Sequence, residues 1–153
     1  MSRMLATIGL LACVGLGSCV GMPAASGLAW SFQNHPGEGP KLAYGAPSSD
    51  DVVLMMTCEP GSRQVDLSLM GGSPQAGLIL TSGDARQALT GKVIATPGMG
   101  QMIQASAHAK SAPLAGFART GNLSLVDRGR TVDIGASPTE RASVNRFFAA
   151  CRA

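Results

Sequence analysis

Six residues of this chain carry side chains typical of nucleophilic, redox or metal chemistry, namely Cys13, Cys19, Cys58, Cys151, His35 and His108. Neither histidine stands in a Ser–His or Cys–His pattern, and the cysteines show no CxxC spacing. A zinc site needs three or four nitrogen, sulfur or oxygen ligands, and the chain has few residues that could provide them. The sequence therefore predicts no catalytic residue, no metal site, no cofactor and no enzymatic activity.

Asp50 and Asp51 are the only adjacent pair of carboxylates. Neighbours on a strand point to opposite faces of the sheet, which disfavours an acid–base pair. A charged pair at the start of a strand is the simpler interpretation, and a calcium ligand is the alternative. The Gly-x-Gly segments link no predicted strand to a predicted helix, so no nucleotide site is expected.

Charge and aromatic content argue against a nucleic-acid-binding protein. The chain has 12 Lys and Arg against 9 Asp and Glu, with 4% aromatic residues. This balance is too weakly basic, and too poor in aromatics, for a nucleic-acid interface. The region 110–153 nevertheless has seven basic and three acidic residues, whereas 20–109 has four and six. The basic end is either a solvated face or a contact for anionic lipid headgroups or an acidic protein.

The N-terminus has the pattern of an export signal. Arg3 supplies the positive charge, and the apolar run over 5–17 is too short to span a bilayer as a helix. The residues "LGSC" (16–19) resemble a bacterial lipobox, which predicts a signal peptide over 1–18 and lipidation of Cys19. The alternative is ordinary cleavage after small residues near 24–27.

The segment 19–29 is small and nearly uncharged, so it is predicted to be a flexible tether. It precedes a single β-rich domain over 30–153. The expected location is the periplasmic face of the outer membrane, through the lipid, or else the soluble periplasm or the exterior. An envelope protein is a possible partner.

The two remaining cysteines predict a disulfide. Loss of the leader and lipidation of Cys19 leave Cys58 and Cys151, which most simply pair in an oxidising compartment. The alternatives are a catalytic thiol or a metal ligand. The paired residues stand 93 positions apart, and the chain-entropy model gives about 4–5 kcal/mol for such a loop.

Short runs bounded by turns dominate the domain. Residues 50–59 and 63–70 predict an antiparallel hairpin, with the first strand covered on both faces. Further segments, including "LAGFART" (114–120), also read as strands. About 8–10 strands at this spacing predict a mainly β antiparallel sandwich or barrel.

One helix is predicted at the C-terminus, over about 138–151. "SPTE" is a capping box, with Ser137 at the N-cap and Glu140 at N3. The apolar residues that follow share one helical face, and this face is expected to pack on the sheet and carry one cysteine to the other. They are Val144, Phe147, Phe148 and Cys151.

Two segments carry a resemblance to small exported lipoproteins of Gram-negative bacteria: "KLAYGAPSSDDVVLMMTCEPG" (41–61) and "FFAAC" (147–151). It implies export and a cysteine-linked β-fold without an assigned activity. The chain is more weakly similar to lysozyme-inhibitor lipoproteins of the MliC type, which present an S-G-x-x-Y loop and a Lys-Gly segment. Ser82, Gly83 and Arg86 stand at the first motif, with Arg for Tyr, and Thr120 and Gly121 stand at the second.

Two function classes follow from these patterns. The first is a non-enzymatic envelope lipoprotein that acts as a binding or structural module. The second is an inhibitor of a lysozyme-like hydrolase in the periplasm, with segments 82–88 and 117–122 as its contact surface.

Overall fold

The computed structural model describes residues 27–71, 77–96, 100–127 and 129–153. The predicted signal peptide, the lipidation candidate Cys19 and the predicted tether up to residue 26 lie outside these ranges. Within them, ten strands and two helices follow one another: β1 (Ala29–His35), β2 (Gly39–Gly45), β3 (Val52–Thr57), β4 (Gln64–Met70), β5 (Leu78–Ser82), β6 (Ala85–Leu89), β7 (Lys92–Thr96), β8 (Gly100–His108), α1 (Ala112–Thr120), β9 (Ser124–Asp127), β10 (Arg130–Asp133) and α2 (Arg141–Arg152).

The strands form two antiparallel sheets that share one hydrophobic core. The larger sheet has the order β1-β2-β3-β4-β8-β7, and the smaller has the order β10-β9-β5-β6. Each sheet has an edge strand on both sides and does not close on itself. Of the two predicted architectures, a sandwich or a barrel, the structure is therefore a sandwich. The helices close the core, because α2 packs on β1 and β2, α1 packs on β5 and β6, and the two helices contact each other.

The hairpin of β3 and β4 confirms the pairing predicted from alternation. Leu54 lies opposite Leu69 in its register, and Gly61 in the connecting turn has a φ of 78°, a conformation that glycine adopts without strain. Met56 is fully buried, whereas Met55 beside it is only half-buried. The expectation that β3 is covered on both faces is therefore wrong, since the strand packs one face on the core.

The segment 114–120, predicted to be a strand, belongs to helix α1. Pro113 is compatible with the first turn because the N–H that it lacks has no partner there. Gly121 ends the helix with a φ of 80° and donates its N–H to the Phe117 carbonyl at 2.8 Å. Pro113, Leu114 and Phe117 are buried against the core. The strand prediction was wrong because a short apolar run is compatible with a strand or a helix. The proline at the start and the glycine at the end favour the helix.

The predicted helix over 138–151 begins at Arg141, after a turn. One half of the capping box is present, because the Ser137 backbone N–H donates to Glu140 Oε2 at 2.6 Å. The prediction of Ser137 as the N-cap is wrong, because Glu140 occupies that position and the Ser137 hydroxyl pairs with Thr139 Oγ1 at 3.0 Å. The other carboxylate oxygen, Oε1, accepts the backbone N–H of Trp30 at 2.8 Å. Glu140 therefore joins the first residues of β1 to the start of α2.

The disulfide between Cys58 and Cys151 is confirmed, with the two Cα atoms 5.7 Å apart. The Gly61 N–H also donates to the Cys151 carbonyl at 3.2 Å, so the end of α2 is held against the β3–β4 turn twice. The predicted core face of α2 is likewise confirmed, since the four residues that share it are buried: Val144, Phe147, Phe148 and Cys151.

Five of the six aromatic residues form a continuous chain of ring contacts through the core. The Trp30 ring lies 5.2 Å from Tyr44 and 5.0 Å from Phe117, measured between centroids. Phe117 contacts Phe148 at 6.2 Å, and Phe148 contacts Phe147 at 5.3 Å. These ring contacts therefore connect β1, β2 and both helices. A small number of aromatic residues thus links the main elements around the core.

We expect the double variant Cys58→Ala/Cys151→Ala to lose about 4–5 kcal/mol of unfolding free energy, because the unfolded chain regains the entropy of the long loop. Urea unfolding followed by tryptophan fluorescence measures this difference. The wild type in reducing agent is the control and should approach the double variant. A loss below about 1 kcal/mol in both would contradict a stabilising disulfide.

Candidate functional site

A groove of about 510 Å³ lies between α1 and α2 and is the best candidate site; we call it the helix groove. Its polar lining consists of Lys110, Arg119, Asn145 and Arg152. Its floor is made of small apolar residues with one buried ring, namely Ala109, Ala115, Ala118, Ala149 and Phe148. The groove exists because alanines stand where larger side chains would fill the space between the helices.

Helical spacing explains why these residues meet. On α2, Asn145, Ala149 and Arg152 are separated by four and three positions, so they lie along one side of the helix. On α1, Ala115 and Arg119 are separated by four positions and face the same groove. The core faces of both helices are occupied by their buried apolar residues, and the groove runs beside those faces.

The cations of the helix groove are exposed, and no acidic side chain in the described part of the chain forms a salt bridge with them. Within the described ranges, the only salt bridge joins Lys41 to Glu38 Oε2 at 2.7 Å, on the β1–β2 hairpin. The hydrogen bond from Lys41 and its positive charge hold the pKa of the Glu38 carboxyl below its ordinary value. The groove lining contains basic and neutral side chains without an acidic residue, so its potential is positive.

The basic surface continues past the groove to the end of α1. The Arg141 guanidinium donates from Nη2 to the carbonyl oxygen of Arg119 at 2.7 Å. A carbonyl in the last turn of a helix lacks an intrahelical donor, and this contact supplies one. Arg141 is therefore used in part by the fold. Among the described residues, none forms a hydrogen bond or salt bridge with the guanidinium of Arg152.

The partner-contact residues predicted in the first segment have different roles. Ser82 is buried, and its hydroxyl donates to the Asn122 carbonyl at 2.6 Å. Gly83 has a φ of 57° in the exposed β5–β6 turn, and Arg86 is exposed on β6. The hydroxyl of Ser82 is thus used inside the fold, while the other two residues face solvent.

Thr120 and Gly121, predicted in the second segment, complete the end of α1. The Thr120 hydroxyl donates to the Gly116 carbonyl at 2.9 Å and accepts the Asn122 N–H at 3.1 Å. Gly121 is the left-handed cap of the helix. The bond from Ser82 to Asn122 places the two predicted segments side by side, although their polar groups largely serve the fold.

The remaining candidates for chemistry lie apart. His35 and His108 are exposed at the ends of β1 and β8, and the His108 Nδ1 accepts the Lys110 backbone N–H at 3.1 Å. Asp50 and Asp51 are exposed in the loop before β3. In the part of the chain that the structure describes, no group of three or more His, Cys, Asp or Glu residues is arranged to hold a metal ion.

Two other grooves concentrate less charge than the helix groove. One of about 650 Å³ lies between β1, β2 and the loop over 46–51, and Asp50 is its only charged residue. Another of about 500 Å³ lies on the outer face of the larger sheet. There Asp66 already accepts hydrogen bonds from Ser106 Oγ at 2.6 Å and from Gln64 Nε2 at 3.3 Å.

Sequence reasoning missed the helix groove because α1 was predicted as a strand. The signals for the helix are present: Ser111 and Pro113 before the apolar residues, Arg119 in the last turn and Gly121 after it. The excess of basic residues after position 110 is visible in the sequence. Its concentration in one groove depends on the contact between two helices.

Comparisons of the chain with protein-family models, curated proteins and solved structures find no match. Neither helix of the described ranges is long and apolar enough to cross a membrane.

We expect Ser82→Ala to lower the unfolding free energy by about 1–2 kcal/mol, because the Asn122 carbonyl loses its donor in a partly buried place. Denaturant unfolding measures the loss. Arg86→Ala is the matched control from the same predicted segment and should change stability by less than about 0.5 kcal/mol. Equal stability of Ser82→Ala and wild type would contradict a stabilising role for this hydrogen bond.

Proposed function

We propose that the protein is an exported envelope lipoprotein, anchored through Cys19, whose domain acts as a non-enzymatic binding module. The observation that carries this proposal is the buried disulfide Cys58–Cys151. Stable disulfides are found mainly in oxidising compartments such as the bacterial periplasm. The apolar segment over 5–17 and the "LGSC" motif at 16–19 supply the route and the anchor.

The place where the chain enters the domain is consistent with an N-terminal anchor. Gly27 is exposed, Leu28 packs against the core, and Ala29 pairs with Gly45 in the first strand. The last two residues of the predicted tether thus belong to the fold.

The character of the helix groove supports a binding function. It combines cations, an amide and an apolar floor, and its lining has no nucleophile beside a general base. Such a lining can hold an anionic group through charge-assisted hydrogen bonds. We therefore assign the groove a role in recognition.

The intact mass of the protein extracted from membranes tests the anchor. We expect a chain that starts at Cys19 and carries a diacylglyceryl group. The Cys19→Ser variant is the control and should lack the lipid mass. A wild-type chain that starts near Gly27 without added lipid would overturn the anchor and favour ordinary signal cleavage.

A second candidate function is inhibition of a lysozyme-like hydrolase. The observation that favours it is the bond from Ser82 to Asn122, which brings the turn after β5 next to the end of α1. Gly83 and Arg86 are exposed on the first of these segments and offer a contact surface. A protein inhibitor needs adjacent loops on a rigid support, and both loops are attached to the core.

Binding to an immobilised muramidase tests this second function. We expect retention of the wild type at micromolar concentration and a loss of about tenfold in affinity for Arg86→Ala, since arginine is a frequent interface anchor. Arg63→Ala, on the turn between β3 and β4, is the control. Absence of binding at micromolar concentration would exclude the inhibitor.

A further inference from the structure

We infer that the helix groove binds a phosphate-bearing anion, held by Lys110, Arg119 and Arg152 with Asn145 as an additional donor. The site is independent of the lipid anchor. Only the source of the phosphate, a phospholipid headgroup or a soluble phosphate compound, rests on the proposed function.

The first argument is that three cations line one groove. Lys110 precedes α1, Arg119 lies in its last turn, and Arg152 lies in the last turn of α2. The three come from separate parts of the chain and line one groove. Hydrogen bonds from cationic donors to phosphate are shorter and stronger than those between neutral groups. Three such donors in a groove whose lining has no acidic residue favour an anion with several acceptor oxygens.

The second argument is the position of Lys110. Arginines in the last turn of a helix are stabilised by the helix dipole, which alone accounts for Arg119 and Arg152. Lys110 lies near the positive end of α1, whose first turn has no acidic residue. A cation is unfavourable there. An anion in the groove would offset this repulsion. Helix stability accounts for the positions of Arg119 and Arg152, whereas a bound anion accounts for the positions of all three cations.

The third argument is the shape of the groove. Its volume of about 510 Å³ lies within the range of small-molecule sites. Ala118 and Ala149 line it from opposite helices, so a small ligand can approach both backbones. The apolar floor also suits a headgroup with a glycerol or short aliphatic portion, which would lie over Phe148.

The experiment uses the full mature protein purified from whole cells in a nonionic detergent and labelled with nitrogen-15. Inorganic phosphate and dihexanoylphosphatidylglycerol are titrated separately at constant ionic strength. Shifts of the Asn145 side-chain amide and of the Ala118 backbone amide report binding in the groove. We expect saturable shifts, and tighter binding of the phospholipid if the source is a headgroup. Equal or tighter binding of inorganic phosphate would indicate a soluble phosphate compound.

Charge variants separate the groove from general attraction. Arg152→Gln and Lys110→Gln should each weaken binding by about tenfold or more, because a charge-assisted hydrogen bond is lost. Arg146→Gln is the matched control. It removes the same charge from the same helix, but Arg146 lies over the Phe32 ring, 5.3 Å from its centroid, and does not line the groove. It should change the affinity by less than about twofold.

A filling variant tests the same site without a change of charge. Ala118→Leu places a larger side chain in the groove and should abolish the saturable shifts. Melting temperatures of all variants show whether the fold is retained, and Arg152→Gln supplies the result if the filling variant does not fold. Absence of saturable shifts in the wild type, or equal weakening by Arg146→Gln and Arg152→Gln, would overturn the phosphate site. An unlipidated mass with intact phosphate binding would overturn the anchor alone.

Discussion

The packing of the Trp30 indole connects every layer of this fold. The ring is buried, contacts Tyr44 in the neighbouring strand and Phe117 in α1, and donates its Nε1–H to the Ile134 carbonyl at 2.6 Å. A buried indole without a hydrogen-bond partner would be costly, so this bond fixes the segment after β10 relative to β1. The backbone N–H of Trp30 is bound by Glu140, which positions α2. Both helices are therefore placed relative to the sheets through one residue.

The positions of the helices determine what the surface offers. The far end of α2 is held by the disulfide and by the bond from Gly61 to Cys151, while its start is held by Glu140. A helix fixed at both ends can leave a groove beside α1 without closing it. The alanines on the facing sides keep the groove open. Among the residues that the structure describes, none forms a salt bridge with the basic residues at its rim.

The parts of the fold that depend on local patterns were accessible from the sequence. Alternation predicted the β3–β4 hairpin, and helical spacing predicted the buried face of α2. Cysteine parity predicted the pair Cys58 and Cys151. The short run 114–120 was ambiguous, because few apolar residues satisfy either period. Coverage of β3 was also wrong, since an apolar run does not show which neighbours pack on each face.

The sequence alone determined the mainly β class, the C-terminal helix and the disulfide, because these follow from periodicity and parity along the chain. The export signal and the lipid anchor at Cys19 are also read from the sequence alone, and they remain proposals. Tertiary structure decided the order of the strands, the sandwich and the helix groove. The groove joins Lys110, Arg119 and Arg152, and their meeting depends on how two helices pack on different sheets. Local sequence patterns do not show that these three residues are neighbours, because the packing of the two helices results from burial of the whole core.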